Sequence, residues 1–176
     1  MLRRTATFVC LVLAILLLAG FDKAVWKAFT KKNANFSVMM PGTPKEETAT
    51  EQTAAGPIKL WQASVIGGTK AYFVSYSDLP KSTWKGDPKT MLEGARDGAA
   101  KRVQGKVVTD RELKLADRYP GREFKVLVGD KLELTQRVYL VKHRLYQVNM
   151  GCMVKGCTEA EVQEYLDSFK LLKAPK

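Results

Sequence analysis

Beyond about residue 25 the chain reads mostly with period two, and it passes to helical spacing in two places. Short extended pieces are predicted at residues 26–29 and 36–40, the second closed by Pro41-Gly42-Thr43-Pro44. Residues 45–56 are polar and rich in Thr and Glu, which predicts a flexible hairpin or an exposed loop. Residues 58–64 and 70–76 alternate or are aromatic-rich, and Gly67-Gly68 between them predicts a hairpin turn. Four more strands are predicted at 106–115, 122–128, 131–141 and 144–150, with turns at Tyr119-Pro120-Gly121 and Val128-Gly129-Asp130. That succession is an antiparallel meander. In its third strand Leu132, Leu134, Val138 and Leu140 share one face and Glu133, Thr135, Arg137 and Tyr139 the other; in its fourth Tyr146, Val148 and Met150 fall together.

The first helix opens at Asp87-Pro88, with Asp as N-cap and Pro in the first turn, and carries Leu92, Ala95, Ala99 and Val103 near helical spacing to about Arg102. Gly94 and Gly98 each cost about 1 kcal/mol against Ala inside a helix, so they are expected where the helix packs too close to a sheet for a side chain. A membrane helix-pairing role for this G-x-x-x-G is excluded by Glu93, Arg96, Asp97, Lys101 and Arg102 around it. The last helix has the clearest start, because Thr158-Glu159-Ala160-Glu161 is a capping box and Val162, Tyr165, Leu166 and Phe169 follow on one face. Strands, helix, four strands, helix is an α+β order: an antiparallel β-sheet flanked by helices.

Ahead of these elements, Met1-Leu2-Arg3-Arg4 begins the chain with positive charge, and residues 5–21 are uncharged and apolar until Asp22 and Lys23. This is the layout of a signal peptide, residues 1–24, with an uncleaved signal anchor as the alternative. Cys10 lies at the front of the apolar run, the wrong place for lipid attachment at a cleavage site. Residues 25–176 are then one exported domain, periplasmic or extracellular, long enough to bury a core without a metal or a mesh of disulfides.

Three segments carry a resemblance: Phe36-Ser37-Val38-Met39-Met40-Pro41-Gly42, then Arg137-Val138-Tyr139-Leu140-Val141-Lys142-His143-Arg144-Leu145-Tyr146-Gln147-Val148, then Ser168-Phe169-Lys170-Leu171-Leu172. Together they resemble the PsbP-like and DcrB-like exported bacterial proteins over nearly the whole domain. The resemblance implies an α-β-α sandwich without enzymatic activity, serving as an assembly or accessory module. No metal or assembly residue of the photosystem II subunit that names the group matches a position here.

Cysteine and charge then narrow the chemistry. Export leaves Cys152 and Cys157 as an even pair with four residues between, which favours a disulfide that would pin one turn. Zinc is the alternative, but His143 is the only imidazole and four ligands are the rule. The 29 Lys and Arg outnumber 18 Asp and Glu; without Arg3, Arg4, Lys23 and Asp22 the counts are 26 and 17, still +9. The positive charge gathers in the later strands, and Arg122, Lys125, Arg137 and Arg144 are the candidate contact surface for anionic lipid, an acidic polymer or an acidic protein partner. Nucleic acid is not expected, since the aromatic residues fall at core-facing positions instead of forming a stacking platform.

Catalysis finds little support. His143 sits at a predicted hairpin tip between Lys142 and Arg144, and no G-x-S-x-G places a serine beside a base. Carboxylate pairs for acid/base work would be Glu123 with Glu133 or Asp110 with Glu112, yet Glu123 has Arg137 as a cross-strand ion-pair partner. Phosphate-loop and dinucleotide glycine patterns are absent from the sequence, and no cofactor is expected. The reading is a non-catalytic accessory or binding domain of the cell envelope. Its alternatives are a secreted hydrolase with a cleft that residue order does not display, and a signal-anchored protein at the membrane.

Overall fold

The computed structural model describes residues 25–53 and 56–173, so the targeting reading of residues 1–24 lies outside the described part. Strands β1 (Trp26–Lys31) and β2 (Phe36–Pro41) pair antiparallel through a single turn of 3-10 helix at Lys32–Ala34. Asn35, at φ 59°, ends that turn. Its side chain donates to the Lys173 carbonyl (2.8 Å) and accepts from the Lys173 N–H (3.1 Å). This clamp lays the two-residue β10 (Lys170–Leu171) against β2 to complete a three-stranded sheet.

The remaining strands are β3 (Lys45–Thr53), β4 (Gly56–Gly67), β5 (Lys70–Asp78), β6 (Lys106–Leu115), β7 (Tyr119–Val128), β8 (Leu132–Val141) and β9 (Arg144–Met153). They form one seven-stranded antiparallel sheet in the order β3-β4-β5-β9-β8-β7-β6. Helix α1 (Pro88–Arg102) packs on one face and α2 (Glu159–Asp167) on the other. The alternation along β7 shows why both faces can be covered. Phe124 and Val126 join Leu92 and Ala100 under α1, while Glu123 and Lys125, alternating with them, reach α2 residues on the opposite side.

Helices therefore flank both faces, but the layers are unequal. The α2 face is shared with the three-stranded sheet, whose Phe36, Val38 and Met40 are buried against Trp61, Val74, Tyr146 and Val148. The simple α-β-α sandwich is replaced by helix, large sheet, and a mixed layer of helix and small sheet. The cause is β2: its alternate residues are too apolar to leave in water, and the large sheet supplies the surface that buries them.

Three local expectations are corrected. Residues 45–53, read as part of a flexible hairpin or loop, are edge strand β3, paired with β4 from Lys45↔Ser64 to Thr53↔Gly56. Its mostly exposed Thr and Glu side chains give no apolar alternation to read. Tyr119-Pro120-Gly121 is strand, not turn; the chain reverses at Ala116 and Asp117, both near φ +52°. Gly121 serves close packing instead, since a Cβ there would meet the Tyr139 ring at 2.5 Å and the Val138 carbonyl at 2.9 Å. Gly94 and Gly98 are exposed, with nothing within 4 Å of an added Cβ, so the expected close approach to a sheet does not occur.

Candidate binding surfaces

The four cations singled out in the sequence do not form one surface. Arg122 lies on the α1 face, where it donates two hydrogen bonds to Asp110 (2.6 and 2.8 Å) and has Glu93 and Glu112 at 3.7 Å. Asp110 also accepts from Arg96 of α1. Burial pushes the Asp110 carboxyl pKa up, but the hydrogen bonds from Arg122 and Arg96 outweigh it and hold the group below the usual carboxylate range.

Lys125, Arg137 and Arg144 lie on the α2 face, each with carboxylate partners. Lys125 reaches Glu159 at 3.3 Å and Glu133 at 3.9 Å. Arg137 is 8% exposed and donates to Glu123 (2.6 Å), to Asp167 and to Gln163. Burial disfavours its charge, and Glu123 and Asp167 more than compensate, so the guanidinium stays ionised. Arg144 forks onto Asp78 (2.6 and 2.8 Å) and covers the Tyr76 ring at 4.7 Å. The expected common basic face is thus divided by the period of two, because Arg122 is odd in register to Arg137. The cross-strand Glu123 and Arg137 pair is present as expected.

Those networks also engage the carboxylates considered for catalysis. Glu123 accepts from Arg111 (2.9 Å) and Arg137, and Asp110 from two arginines. A cleft of about 540 Å³ lies where the start of α1 meets β6 and β7, lined by Asp87, Lys89, Glu112, Lys114 and Arg122 among others. Its Asp87 accepts from the Thr90 N–H (2.9 Å) and hydroxyl (2.8 Å) as the cap of α1. The backbone hydrogen bond from Thr90 holds the Asp87 carboxyl below its ordinary pKa, so it has no proton to give at neutral pH.

A second hollow, about 260 Å³, has Trp61 and Tyr76 as its floor and Thr48, Lys59 and Asp78 around it. The Trp61 ring packs parallel to Phe29 and beneath Lys31 Nζ, and its indole N–H donates to Glu46 (3.2 Å). His143 occupies the β8–β9 turn, exposed as expected, with its ring stacked on Trp84 at 4.3 Å. Among the described residues no hydroxyl or thiol hydrogen-bonds its imidazole, and no group of three or more His, Cys, Asp or Glu could hold a metal ion.

Cys152 and Cys157 are joined as a disulfide, with their Cα atoms 6.1 Å apart. It closes the loop between β9 and α2, where the Gly156 N–H donates to the Met153 carbonyl (2.6 Å). Among the described residues no helix is long and apolar enough to cross a membrane.

The chain superimposes on cyanobacterial PsbP (CyanoP) from Synechocystis sp. PCC 6803 with a TM-score of 0.57, at 12% identity, over 88% of this chain and 97% of that one. The fold is PsbP-like. A protein of unknown function from Pseudomonas aeruginosa, PA94, described as a putative regulator, aligns at 10% identity and TM-score 0.37 over 81% of this chain and 89% of that one. No protein-family model and no curated protein matches the sequence. At this identity the likeness is one of fold, and the surfaces above belong to this chain's own side chains.

Where the structure adds to the sequence is the sorting of cations. The internal arginines are fully engaged, whereas Lys27, Lys131 and Lys155 have no ion-pair partner among the described residues. Sequence counting weights both kinds alike. The clue that residue order did offer was the spacing of Glu123 and Asp110 against arginines one strand away.

Proposed function

We propose that this PsbP-like domain is a non-catalytic accessory module that works outside the cytosol by contacting an anionic component of the cell envelope. The observation that carries the reading is the division of charge: interior arginines are neutralised within the scaffold, and the unpaired surplus among the described residues is, Arg118 apart, lysine. A hydrated point charge on a flexible stem suits diffuse attraction to an anionic surface better than fixed bidentate recognition. The Cys152–Cys157 bond supports export, since such bonds persist where thiols are oxidised. The engaged state of Asp110, Glu123 and Asp87 speaks against acid/base catalysis.

The test is alkylation of thiols in intact cells, followed by fractionation of the full chain. The expected outcome is recovery with the envelope or medium, with Cys152 and Cys157 modified only after reduction. Recovery in the cytosol with both sulfurs alkylated directly would remove the proposal. On acidic polysaccharide or anionic vesicles, retention that weakens as salt rises is expected.

A further inference from the structure

One end of the molecule combines exposed apolar side chains with unpaired lysines, and the described chain begins there. Val25, Trp26, Ile66 and Met153 are 66, 43, 60 and 36% exposed. Pairing and hydrogen bonds bring them together at one end of the large sheet. Met153 N–H donates to the Thr69 carbonyl in the β4–β5 turn (3.2 Å), and Val154 N–H to the Lys131 carbonyl (2.8 Å). Ile66 is two strands from Gly151 across Ala71. Trp26 packs edge-on against Tyr72, the neighbour of Ala71, with ring centroids 5.3 Å apart.

Lys27, Lys131 and Lys155 are exposed at the same end, and none has an ion-pair partner among the described residues. The carboxylates Glu159 and Glu161 are held by Lys125 and Lys70, and Asp130 is the chain neighbour of Lys131.

The leading sequence limits what can lie opposite. Residues 5–21 are uncharged and apolar, and Arg3 and Arg4 precede them, the bias that keeps the start of a chain on the cytosolic side. Only residues 22–24 separate this tract from Val25. Three residues span at most about 10 Å. A bilayer's polar layer is about 5–8 Å deep on each side. With the tract in a membrane, this tether at full stretch carries Val25 only a few ångström beyond the polar layer, so Val25 and Trp26 stay beside the headgroups, and the surface next to them is the one with apolar tips and lysines.

We propose that in the full chain this end of the domain rests on an anionic lipid surface, with Trp26, Ile66 and Met153 in the interface and Lys27, Lys131 and Lys155 against headgroup phosphates. The inference rests on the signal-anchor alternative for residues 1–24, in which the tract stays attached, and adds which end of the domain faces the lipid. Trp at the interface and Lys beside anionic headgroups are each favourable there.

The tryptophans provide the test. Trp61 is buried, and Trp84 is 49% exposed but stacks on His143 at the opposite end of β9 from Met153, about 30 Å away at strand rise. The full chain is reconstituted into vesicles of phosphatidylcholine and phosphatidylglycerol whose acyl chains carry bromine near the headgroup. The expected result is quenched tryptophan emission in the wild type, lost for the most part in Trp26→Phe and retained in Trp84→Phe. Lys131→Glu with Lys155→Glu, in the absence of bromine, is expected to shift Trp26 emission towards that of a solvated indole. Flotation with the vesicles but quenching that disappears in Trp84→Phe, or no quenching at all, overturns this orientation while leaving the membrane reading intact. Failure of the full chain to float with the vesicles overturns both.

Discussion

The two faces of the large sheet are buried by different means. On the α2 face the core is a set of interlocked rings: Phe36 is fully buried, with the rings of Trp61, Tyr76, Tyr146 and Phe169 at centroid distances from 5.6 to 6.5 Å. Beneath α1 the partners are smaller, with Leu92, Ala99 and Ala100 on Phe124, Val126, Val138, Leu140 and Leu145. Rings held from several sides cannot close over a missing neighbour, whereas one helix on a sheet can settle by a small shift. For charge the contrast lies in the acids: Arg122 and Arg137 are equally buried, but Glu123 beside Arg137 is 10% exposed in its side chain, whereas Asp110, Glu93 and Glu112 around Arg122 are 20, 35 and 67% exposed.

The largest effect expected is therefore Phe36→Ala, a loss of about 3–5 kcal/mol, with Leu92→Ala nearer 2 kcal/mol. Urea denaturation of the two variants measures both, and equal losses would erase the distinction between the faces. Next is the pair of ion networks. Glu123→Gln, which removes the enclosed carboxylate and leaves the buried Arg137 only the exposed Asp167 as an acidic partner, is expected to cost about 3 kcal/mol. Asp110→Asn is expected to cost about 1–2 kcal/mol, because Arg122 retains Glu93 and Glu112 at 3.7 Å. A reversal of that order would show that the rim network matters more than the enclosed one.

Smaller and opposite in sign is Gly98→Ala, which faces open space on the outer side of α1 and is expected to stabilise by about 0.5–1 kcal/mol. A loss of stability in thermal unfolding would mean that this side of α1 is covered in solution. The smallest effect concerns the start of α2. Lys70, then the Thr158 backbone, hold the Glu161 carboxyl at about 2 against an ordinary 4.5. Because the folded value is the lower one, its contribution is present above about pH 4.5 and is lost as pH falls towards 2. The stability difference between wild type and Glu161→Gln should shrink over that window, and a difference constant with pH would remove the assignment.

Much of the α2 side was readable as order of residues. The capping box at Thr158, the shared face of Tyr146, Val148 and Met150, and the pairing of Glu123 with Arg137 all appear as expected. Spacing along an element sets which side chains share a face, and that much needs no partner. The β6–β7 turn escaped notice because Ala116 and Asp117 carry no residue signature of their left-handed backbone, while Pro120-Gly121 mimicked one. Edge strand β3 escaped because a strand with mostly exposed side chains has no apolar period.

Residue order was sufficient for the helix starts, the meander and the matched cysteines, all of which depend on neighbours a few positions apart. It was not sufficient for how the positive charge is distributed in space. Whether an arginine is a free cation or half of an ion pair depends on which strand lies beside it and on which side of the pleat it emerges. That is settled when distant strands register and a one-residue step sends a side chain to the opposite face, as it does between Arg122 and Glu123.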